Sequence, residues 1–341
     1  MQPFFFRSYL KLIPMKQYTS EQLLQQIHEY IGQLSYKRKP MGLYEPIEYV
    51  LELGGKRLRP VLMLLAYNLY KEDVERIFPQ AAGIETYHNF TLLHDDLMDK
   101  ADMRRNKPTV HKRWNENTAI LSGDAMLILS YQFMMQQCPP EYVGKVMEVF
   151  SHAALEVCEG QQLDMEFEQL TDVTVDEYLE MIRLKTSVLL AAALKIGAIL
   201  GGAPEKDAEL LYDFGVKMGL AFQLQDDYLD VYGDPAVFGK KIGGDILCNK
   251  KTFMLITALA QAQEDDKEAL LGWLHVEDYA PEEKIKAVTA IYNKVGVADS
   301  CNARIDAYYK EGLALLEQVE VEPARKEELK AFVCRLMDRK L

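Results

Sequence analysis

The sequence is poor in cysteine and has no excess of basic residues. Its five cysteines, among 341 residues, are scattered and odd in number, and no two form a Cys-x-x-Cys pair. A disulfide framework and a zinc site are therefore unsupported, and a reducing, cytoplasmic location is expected. Lys and Arg number 39 against 52 Asp and Glu, and the net charge of −13 argues against a nucleic-acid partner or a general surface for anionic membranes.

The chain also lacks linker-like tracts and an N-terminal apolar run long enough to span a bilayer. The first fourteen residues, MQPFFFRSYLKLIP, contain an apolar cluster that is too short and too interrupted to span a bilayer, and no convincing cleavage site follows it. We therefore expect no stable membrane insertion. No Pro/Gly/Ser-rich linker and no repeat divides the rest of the chain. We assign residues 1–14 to an N-terminal extension, with Met15 as an alternative start, and residues 15–341 to a single domain.

Strand signals are nearly absent, whereas helical periodicity continues almost to the end of the chain. There is no Asn-Gly hairpin and no sustained alternation of β-branched and polar residues. Capping boxes at Thr19 and Thr174 predict helix starts, and Pro281 and Pro323 stand where the first turns of later helices should be. The sequence therefore predicts an all-α fold, a single-domain bundle of helices.

Carboxylates interrupt one of these helical patterns in the stretch TLLHDDLMDKADMRRNKPTVH, residues 91–111. The pattern predicts one long helix from about Val74 to Lys100. Asp95 and Asp99 are four residues apart on one face of it, with Cβ atoms about 6 Å apart, where two carboxylates repel each other unless a cation lies between them. A solvated acidic helix end is the alternative interpretation of a single DDxxD motif.

The DDxxD pattern occurs a second time, at Asp226, Asp227 and Asp230, again late in an apolar helix. Two acidic helix ends can face each other across a bundle only if cations separate them, and metal sites of helical bundles are built in this way. Oxygen ligands favour magnesium, which keeps positions open for water and for substrate phosphates. We therefore expect a magnesium site, with Asp95, Asp99, Asp226 and Asp230 as ligands, and a phosphate ester as the substrate.

Basic residues are densest beside these two motifs. The segment GGKRLRP, residues 54–60, places three cations in a Gly-led turn that enters a helix, which suits the binding of an anion. Arg104 and Arg105 follow the first motif, and the lysine pairs that begin at Lys240 and Lys250 flank the second. A lone Lys or Arg is usually a solvated surface residue, but three such clusters beside two carboxylate motifs support a site for a phosphate ester.

With these blocks in this order, the sequence resembles the trans-type polyprenyl diphosphate synthases, the farnesyl and geranylgeranyl diphosphate synthase family. The resemblance covers nearly the whole chain, through GGKRLRP, HDDLMD with its RR, GQQLD at 160–164, KT at 185–186, FQLQDDYLD, and GKKIGGD to NKKT. It implies an all-helical fold around a deep central cavity, a homodimer, and a cluster of three magnesium ions that bridges the aspartate motifs and the allylic diphosphate.

The resemblance also implies roles for individual residues. The allylic diphosphate would lie against Arg104, Lys185, Lys240 and Lys250, and isopentenyl diphosphate against Lys56 or Arg57, Arg59, His88 and Arg105. Thr186 and Gln223 would supply lone pairs near the allylic cation, so Lys185, Thr186, Gln223 and Arg104 are the candidate catalytic residues. The released diphosphate would take the proton, so no protein general base is sought.

Other residues near the motifs have less specific assignments. Asp164 would orient the cations around the diphosphate, and Asp96 and Asp227 would be either ligands or supports of the ligands. For Asp102, pairing with Arg105 is expected. A hydrogen-bonded core side chain is the alternative interpretation of His88.

Residues on the helix ahead of the first motif should set the product length. Phe90, five positions before Asp95, is bulky; Thr91, four before, is small; and Tyr87 lies one turn deeper. This pattern is similar to that of short-chain synthases with one aromatic residue in this place, where a C20 product is common. We predict a short-chain trans-prenyltransferase that gives a C15 to C20 prenyl diphosphate, with a preference for geranylgeranyl diphosphate.

Two other functions fit parts of the same pattern. A class I terpene cyclase would share the fold and the first aspartate motif, but it normally replaces the second motif and needs no isopentenyl diphosphate site. A noncatalytic subunit of a heteromeric prenyltransferase would be expected to have degraded motifs, whereas every aspartate and cation of the motifs is present here.

Overall fold

The structure, a computed structural model, describes residues 15–170, 172–234, 242–276 and 278–337. Its secondary structure is almost entirely helical, which confirms the predicted all-α class. The predicted extension at residues 1–14 lies outside the described residues. The helices are α1 (Ser20–Gln33), α2 (Met41–Glu52), α3 (Leu58–Asn68), α4 (Phe78–Met98), α5 (Val110–Arg113), α6 (Glu116–Met135), α7 (Pro140–Phe167), α8 (Val175–Ile182), α9 (Val188–Gly201), α10 (Glu205–Tyr232), α11 (Gly244–Leu247), α12 (Phe253–Gln261), α13 (Glu264–His275), α14 (Pro281–Val295), α15 (Val297–Glu317) and α16 (Pro323–Met337).

Local sequence signals set many of the helix ends. The Thr19 hydroxyl accepts a hydrogen bond from the backbone N–H of Gln22 at 3.2 Å, and the Gln22 side chain accepts one from the Thr19 N–H at 3.0 Å. Thr174 forms the same capping box at the start of α8. Helices α14 and α16 begin at Pro281 and Pro323. These predicted starts are confirmed.

The predicted helix from Val74 to Lys100 is shorter than expected. A 3₁₀ turn, Val74–Ile77, comes first, and α4 then runs from Phe78 to Met98. Pro79 occupies the first turn of α4, where its missing N–H costs nothing. At the other end Lys100 has a φ of 53°, in the left-handed region that stops an α-helix.

A small hairpin follows α4 that the sequence did not predict. Strand β1 (Met103–Arg104) pairs antiparallel with β2 (Lys107–Pro108). Arg105 and Asn106 form the turn with φ values of 51° and 60°. A turn of this kind needs positive φ at both positions, and Asn is one of the residues that adopts it readily. The hairpin carries both arginines of the RR pair beside the end of α4.

Helix α9 lies at the centre of the bundle and packs against α3, α7 and α10. Its small residues allow close approach: a Cβ added at Gly215 of α10 would lie 2.5 Å from Ala191 Cα, and one at Gly197 would collide with the Met63 backbone. The continuous helix 175–201 is apolar enough to span a membrane, but 83% of its most apolar window is buried inside the protein. Such burial is typical of a helix in the core of a protein.

Candidate active site

The first aspartate motif lies at the C-terminal end of α4, where the hairpin folds back on it. Arg104 Nε donates to both carboxylate oxygens of Asp96 at 2.8 Å, and its Nη2 lies 3.6 Å from Asp95 Oδ2. Burial raises the pKa of Asp96 to about 6 even though Arg104 opposes the shift. Burial and the neighbouring Asp95 also raise the pKa of Asp99. Several carboxylates are therefore crowded together at the end of α4, and their mutual repulsion favours the binding of a cation there.

Lys185 brings a second cation to the same place. It lies in a π-helical turn, Arg183–Ser187, which joins α8 to α9 and is called the π-turn below. Its Nζ donates to Asp164 Oδ2 at 2.6 Å and to Asp95 Oδ1 at 3.3 Å. The structure thus joins GQQLD, the KT pair and the first aspartate motif, which are far apart in the sequence. Single π-turns within helices are frequent at functional sites.

The second aspartate motif is held by one hydrogen bond from α8 and one from its own helix, α10. Asp227 is buried, and it accepts one bond from the Tyr178 hydroxyl and one from Gln223 Nε2 at 3.2 Å. Thr186 Oγ1 donates to Gln223 Oε1 at 3.1 Å. Burial and the nearby Asp245 raise the pKa of Asp227 to about 7. Thr186 and Gln223, which the sequence assigns to the same role, are therefore in direct contact.

The backbone after the second motif closes on its last aspartate. Asp230 is buried; its side chain accepts a hydrogen bond from the N–H of Asp245 at 3.0 Å, and its carbonyl accepts one from Gly243 at 2.6 Å. This segment leads through α11 to Lys250. Lys240, which the sequence assigns to the allylic diphosphate, lies outside the described residues.

Lys250 links the two motifs electrostatically. Burial lowers its pKa, but the carboxylates of Asp164, Asp245, Asp227 and Asp95 together raise the pKa above the usual lysine value. Asp95 and Asp227 come from the two motifs, Asp164 from α7 and Asp245 from α11, so charges of both DDxxD ends act on one ammonium group. The π-turn also links the two ends directly, because its Lys185 bonds to Asp95 and its Thr186 bonds to Gln223 of α10.

The donor set fits an open magnesium site better than a closed one. Within residues 15–170, 172–234, 242–276 and 278–337, no three His, Cys, Asp or Glu side chains converge as a ready metal cage. Magnesium is commonly bound by one or two carboxylates together with water and substrate phosphates. Asp95 and Asp99 on α4, and Asp226 on α10, are all-oxygen donors of this kind, so the residues present fit magnesium that binds with a diphosphate.

A second basic group surrounds the glycine turn before α3. Gly54 and Gly55 have φ values of 75° and 133°, which side chains rarely adopt. The Arg105 guanidinium donates to the Gly54 carbonyl, and a Cβ at Gly55 would lie 2.8 Å from Arg105 Nη2. Lys56 follows the turn and is exposed. The turn thus needs glycine both for its backbone and for the close approach of Arg105.

Arg57 faces the protein interior. Its Nη1 lies 2.7 Å from Glu85 Oε1, with side-chain exposures of 1% and 2%, and its Nη2 donates to the Leu51 carbonyl. The sequence leaves Lys56 and Arg57 as alternatives for the contact with isopentenyl diphosphate. Of the two, only Lys56 is accessible to solvent.

Arg59 and His88 lie beside Arg105. Burial lowers the pKa of Arg59 to about 10, so its guanidinium still carries its charge at pH 7. Burial, and then the charges of Arg59 and Arg105, hold the pKa of His88 well below its usual value, so the ring is neutral. The charges of Arg59 and Arg105 thus both act on His88, and their common contact with isopentenyl diphosphate stays a prediction. The Arg57 side chain, in contrast, is held in the interior by Glu85.

The three residues assigned to product length follow the inner side of α4. Phe90 is buried, with its ring 5.4 Å from that of Tyr87 and 4.9 Å from the imidazole of His94. The Tyr87 hydroxyl donates to the Ala154 carbonyl at 2.8 Å. Thr91 is half-buried, and its hydroxyl donates to the His88 carbonyl at 2.8 Å. Phe90 and Tyr87 therefore form a packed aromatic pair one to two helical turns before Asp95.

The expected pairing of Asp102 with Arg105 is wrong. Asp102 pairs with Lys112 at 2.9 Å, and Arg105 reaches the Gly54 carbonyl instead. The hairpin turn, with positive φ at Arg105, directs that side chain toward the glycine turn.

Several residues of the site escape sequence reasoning. Tyr178 and Glu85 bond to Asp227 and Arg57, but neither belongs to a motif with a known spacing. Gly160 faces the π-turn; its place in GQQLD marks it, although the spacing alone does not show that it lies against Lys185. Only the packing of distant helices reveals these contacts.

The chain is similar to known proteins over most of its length. Residues 40–292 match the model of a family described as polyprenyl synthetase. A short chain isoprenyl diphosphate synthase of Methanocaldococcus jannaschii is 42% identical over 266 residues, which are 78% of this chain and 80% of the relative.

Solved structures of similar proteins superpose on this chain over nearly its full length. A crystal structure of a geranylgeranyl pyrophosphate synthase superposes with a TM-score of 0.89 and 42% identity, covering 95% of this chain and all of the other. The enzyme of the same name from Corynebacterium glutamicum, solved with isoprenyl diphosphate and magnesium, superposes with a TM-score of 0.81 and 26% identity, over 94% of this chain and 98% of that one.

Proposed function

This chain belongs to the polyprenyl synthetase family and is a short-chain prenyl diphosphate synthase, and from this premise we propose that it condenses isopentenyl diphosphate with allylic diphosphates to give the C20 product, geranylgeranyl diphosphate. The observation that carries the proposal is the arrangement of both aspartate motifs around Lys185 and Lys250. Such an arrangement suits a leaving diphosphate, which needs positive charge on several sides.

The allylic substrate would bind with its diphosphate between the two motifs. Arg104, Lys185 and Lys250 would contact the diphosphate oxygens directly, with Lys240 as a further proposed contact. Asp95, Asp99, Asp226 and Asp230 would hold magnesium, three ions by the family resemblance, and bound magnesium would add to the charge neutralisation of the leaving diphosphate.

Isopentenyl diphosphate would bind at the second basic group. Arg59 and Arg105 offer guanidinium groups for bidentate contacts with phosphate oxygens, and exposed Lys56 adds a third charge. His88 is neutral, so it would donate one hydrogen bond without adding charge. The buried pairing of Arg57 with Glu85 supports Lys56 as the residue in contact with substrate.

Transfer would proceed through an allylic cation. The C–O bond of the allylic substrate breaks, and the diphosphate leaves with the electron pair. The double bond of isopentenyl diphosphate then attacks the cation, which forms the new C–C bond, and the released diphosphate takes the proton that is lost. Thr186 Oγ1 and Gln223 Oε1, fixed to each other and to Asp227, would direct lone pairs at the developing cation.

The proposed C20 product depends on the packed pair Phe90 and Tyr87. The growing tail would run down the inner side of α4 and stop against these rings. In farnesyl-type synthases a second aromatic residue would limit the length of the tail at this place. Thr91 is smaller and leaves more room. The likeness to a geranylgeranyl pyrophosphate synthase at 42% identity supports the same product length.

We further propose that the enzyme is a homodimer of the cytosol. Helix α6 exposes Leu121, Ile128 and Met135 at a spacing of seven residues, with 59%, 59% and 48% exposure, and Leu155 of α7 is 60% exposed. A periodic apolar stripe on one helix suits a second copy of the chain. Ile128→Glu should then yield monomers in light scattering after size exclusion, whereas Leu271→Glu on α13 should not; dimers of the first variant would refute this interface.

The decisive assay supplies magnesium, isopentenyl diphosphate and, separately, dimethylallyl, geranyl or farnesyl diphosphate, and measures product length by mass spectrometry. We expect a C20 product and consumption of farnesyl diphosphate as a primer. A stop at C15 would refute the product length alone. Absence of product from every primer would refute the synthase itself. Product formation without isopentenyl diphosphate would indicate a cyclase.

Asp95→Ala and Asp226→Ala test the metal assignment. Each should lower turnover by at least about a hundredfold, as expected when transition-state charge stabilisation is lost, while circular dichroism shows unchanged helix content. Near-normal activity of either variant would refute its role as a ligand.

A further inference from the structure

One face of α7 meets the π-turn at three positions, each one helical turn after the last. Glu156 Oε1 accepts a hydrogen bond from Arg183 Nη1 at 3.1 Å. Gly160 touches the backbone of Leu184 and Lys185. Asp164 Oδ2 accepts a hydrogen bond from Lys185 Nζ at 2.6 Å. Two carboxylates with a glycine between them therefore hold the first three residues of the π-turn, which include Lys185.

The Glu156 contact differs from the other bond that Arg183 makes. Arg183 Nε and Nη2 also donate to Glu180 at 2.8 Å, but Glu180 lies on the same helix, and its side chain is 51% exposed. The Glu156 side chain is 11% exposed and comes from a different helix. The Tyr212 hydroxyl of α10 donates to the second Glu156 oxygen at 3.5 Å. Glu156 thus ties the start of the π-turn to its neighbours.

The π-turn needs such an anchor because its hydrogen bonding is intrinsically unfavourable. The N–H of Val188 bonds to the Arg183 carbonyl, five residues back rather than four. If the turn returned to ordinary α-helical bonding, the side chains on one side of it would rotate by about 100°, the angle of one residue in an α-helix. Lys185 would then leave Asp164 and Asp95, and Thr186 would leave Gln223.

We propose that Glu156 is a positioning residue for prenyl transfer: it acts through Arg183 to hold the π-turn in the register that places Lys185 and Thr186 in the active site. This role rests on the proposed function. Glu156 lies eight residues before Asp164 on α7, about 12 Å along the helix axis, so we assign it no contact with substrate. Its effect should therefore appear in the rate of transfer and not in the binding of isopentenyl diphosphate.

The test compares two matched substitutions on the same guanidinium, Glu156→Gln and Glu180→Gln, in the full chain. Glu156→Gln should lower kcat about tenfold, equal to about 1.4 kcal/mol, with KM for isopentenyl diphosphate within twofold of the wild-type value. Glu180→Gln should leave both constants within twofold. Arg183→Gln should repeat the loss, and the double variant Glu156→Gln/Arg183→Gln should be no slower than either single one, because both remove the same interaction.

Hydrogen exchange gives a readout that does not depend on activity. Amides of residues 184–188 should exchange faster in Glu156→Gln than in Glu180→Gln, as judged by mass spectrometry of peptides that cover the π-turn. Equal exchange in the two variants, unchanged kcat in Glu156→Gln, or additive losses in the double variant would each overturn the proposal. An inactive wild-type protein would instead overturn the proposed function.

Discussion

Gly160→Ala is the most direct perturbation of the π-turn. A Cβ at this position would collide with the backbone nitrogen of Lys185 and would lie 2.7 Å from Lys185 Cα, whereas ordinary contact begins at 3.4 Å. The turn would have to move by about 1 Å. It cannot move freely toward α10, because a Cβ at Gly219 would already lie 2.6 Å from Ser187 Cα. Both obstructing groups are backbone, so no side-chain rotation relieves the overlap.

The expected loss follows from the size of this displacement. A misplacement of about 1 Å at a reacting group costs about a hundredfold in rate, so kcat should fall between about tenfold and a hundredfold. Overpacking should lower the free energy of unfolding by about 1–3 kcal/mol. The assay is steady-state diphosphate release with isopentenyl and farnesyl diphosphate, with urea unfolding measured in parallel.

Gly144→Ala is the matched control, because Gly144 lies on the same helix with nothing within 4 Å of the added Cβ. It should keep full activity and raise the free energy of unfolding by about 0.5–1 kcal/mol. If Gly160→Ala kept kcat within twofold of wild type, the backbone of α7 would not fix Lys185, and the reasoning would fail.

Three further perturbations test other parts of the structure. Glu85→Ala leaves the buried Arg57 charge unpaired and should lower the free energy of unfolding in urea by about 3–5 kcal/mol. Glu320→Ala, at an exposed pair, should lower it by less than about 1 kcal/mol. Equal losses in the two variants would refute a stabilising role of the buried pair. Phe90→Ala should extend the product beyond C20 in mass spectrometry, and Tyr87→Phe, which keeps the ring, should not. An unchanged product length in Phe90→Ala would refute the role of Phe90 in limiting that length. Chelation with EDTA should abolish turnover and added magnesium should restore it, and activity that persisted in EDTA would exclude the proposed metal.

The parts of the site that lie close together in the sequence could be predicted from it. The capping boxes at Thr19 and Thr174 involve residues three apart, so the local pattern determines them. Each DDxxD motif lies within a single helical turn, and its spacing alone places the first and last aspartates on one face. The apposition of the two motifs could be inferred because like charges at two helix ends require cations between them.

The parts that depend on distant pairs could not be predicted. Glu85 lies 28 residues from Arg57, and Tyr178 lies 49 residues from Asp227. Nothing in the local pattern at these positions distinguishes them from ordinary helix residues. The π-turn is also invisible in the sequence, because helical periodicity continues through residues 175–201 and the extra residue is accommodated by packing against α7.

The ion pairs of Lys185 and Arg104 with the aspartates also bear on how a newly synthesised chain matures. Because the protein supplies its own counter-charges to Asp95, Asp96 and Asp164, the acidic helix ends can come together during folding without waiting for an external ion. The protein can therefore fold whether or not substrate is present. An arriving substrate would then exchange ion-pair partners with residues that are already in place.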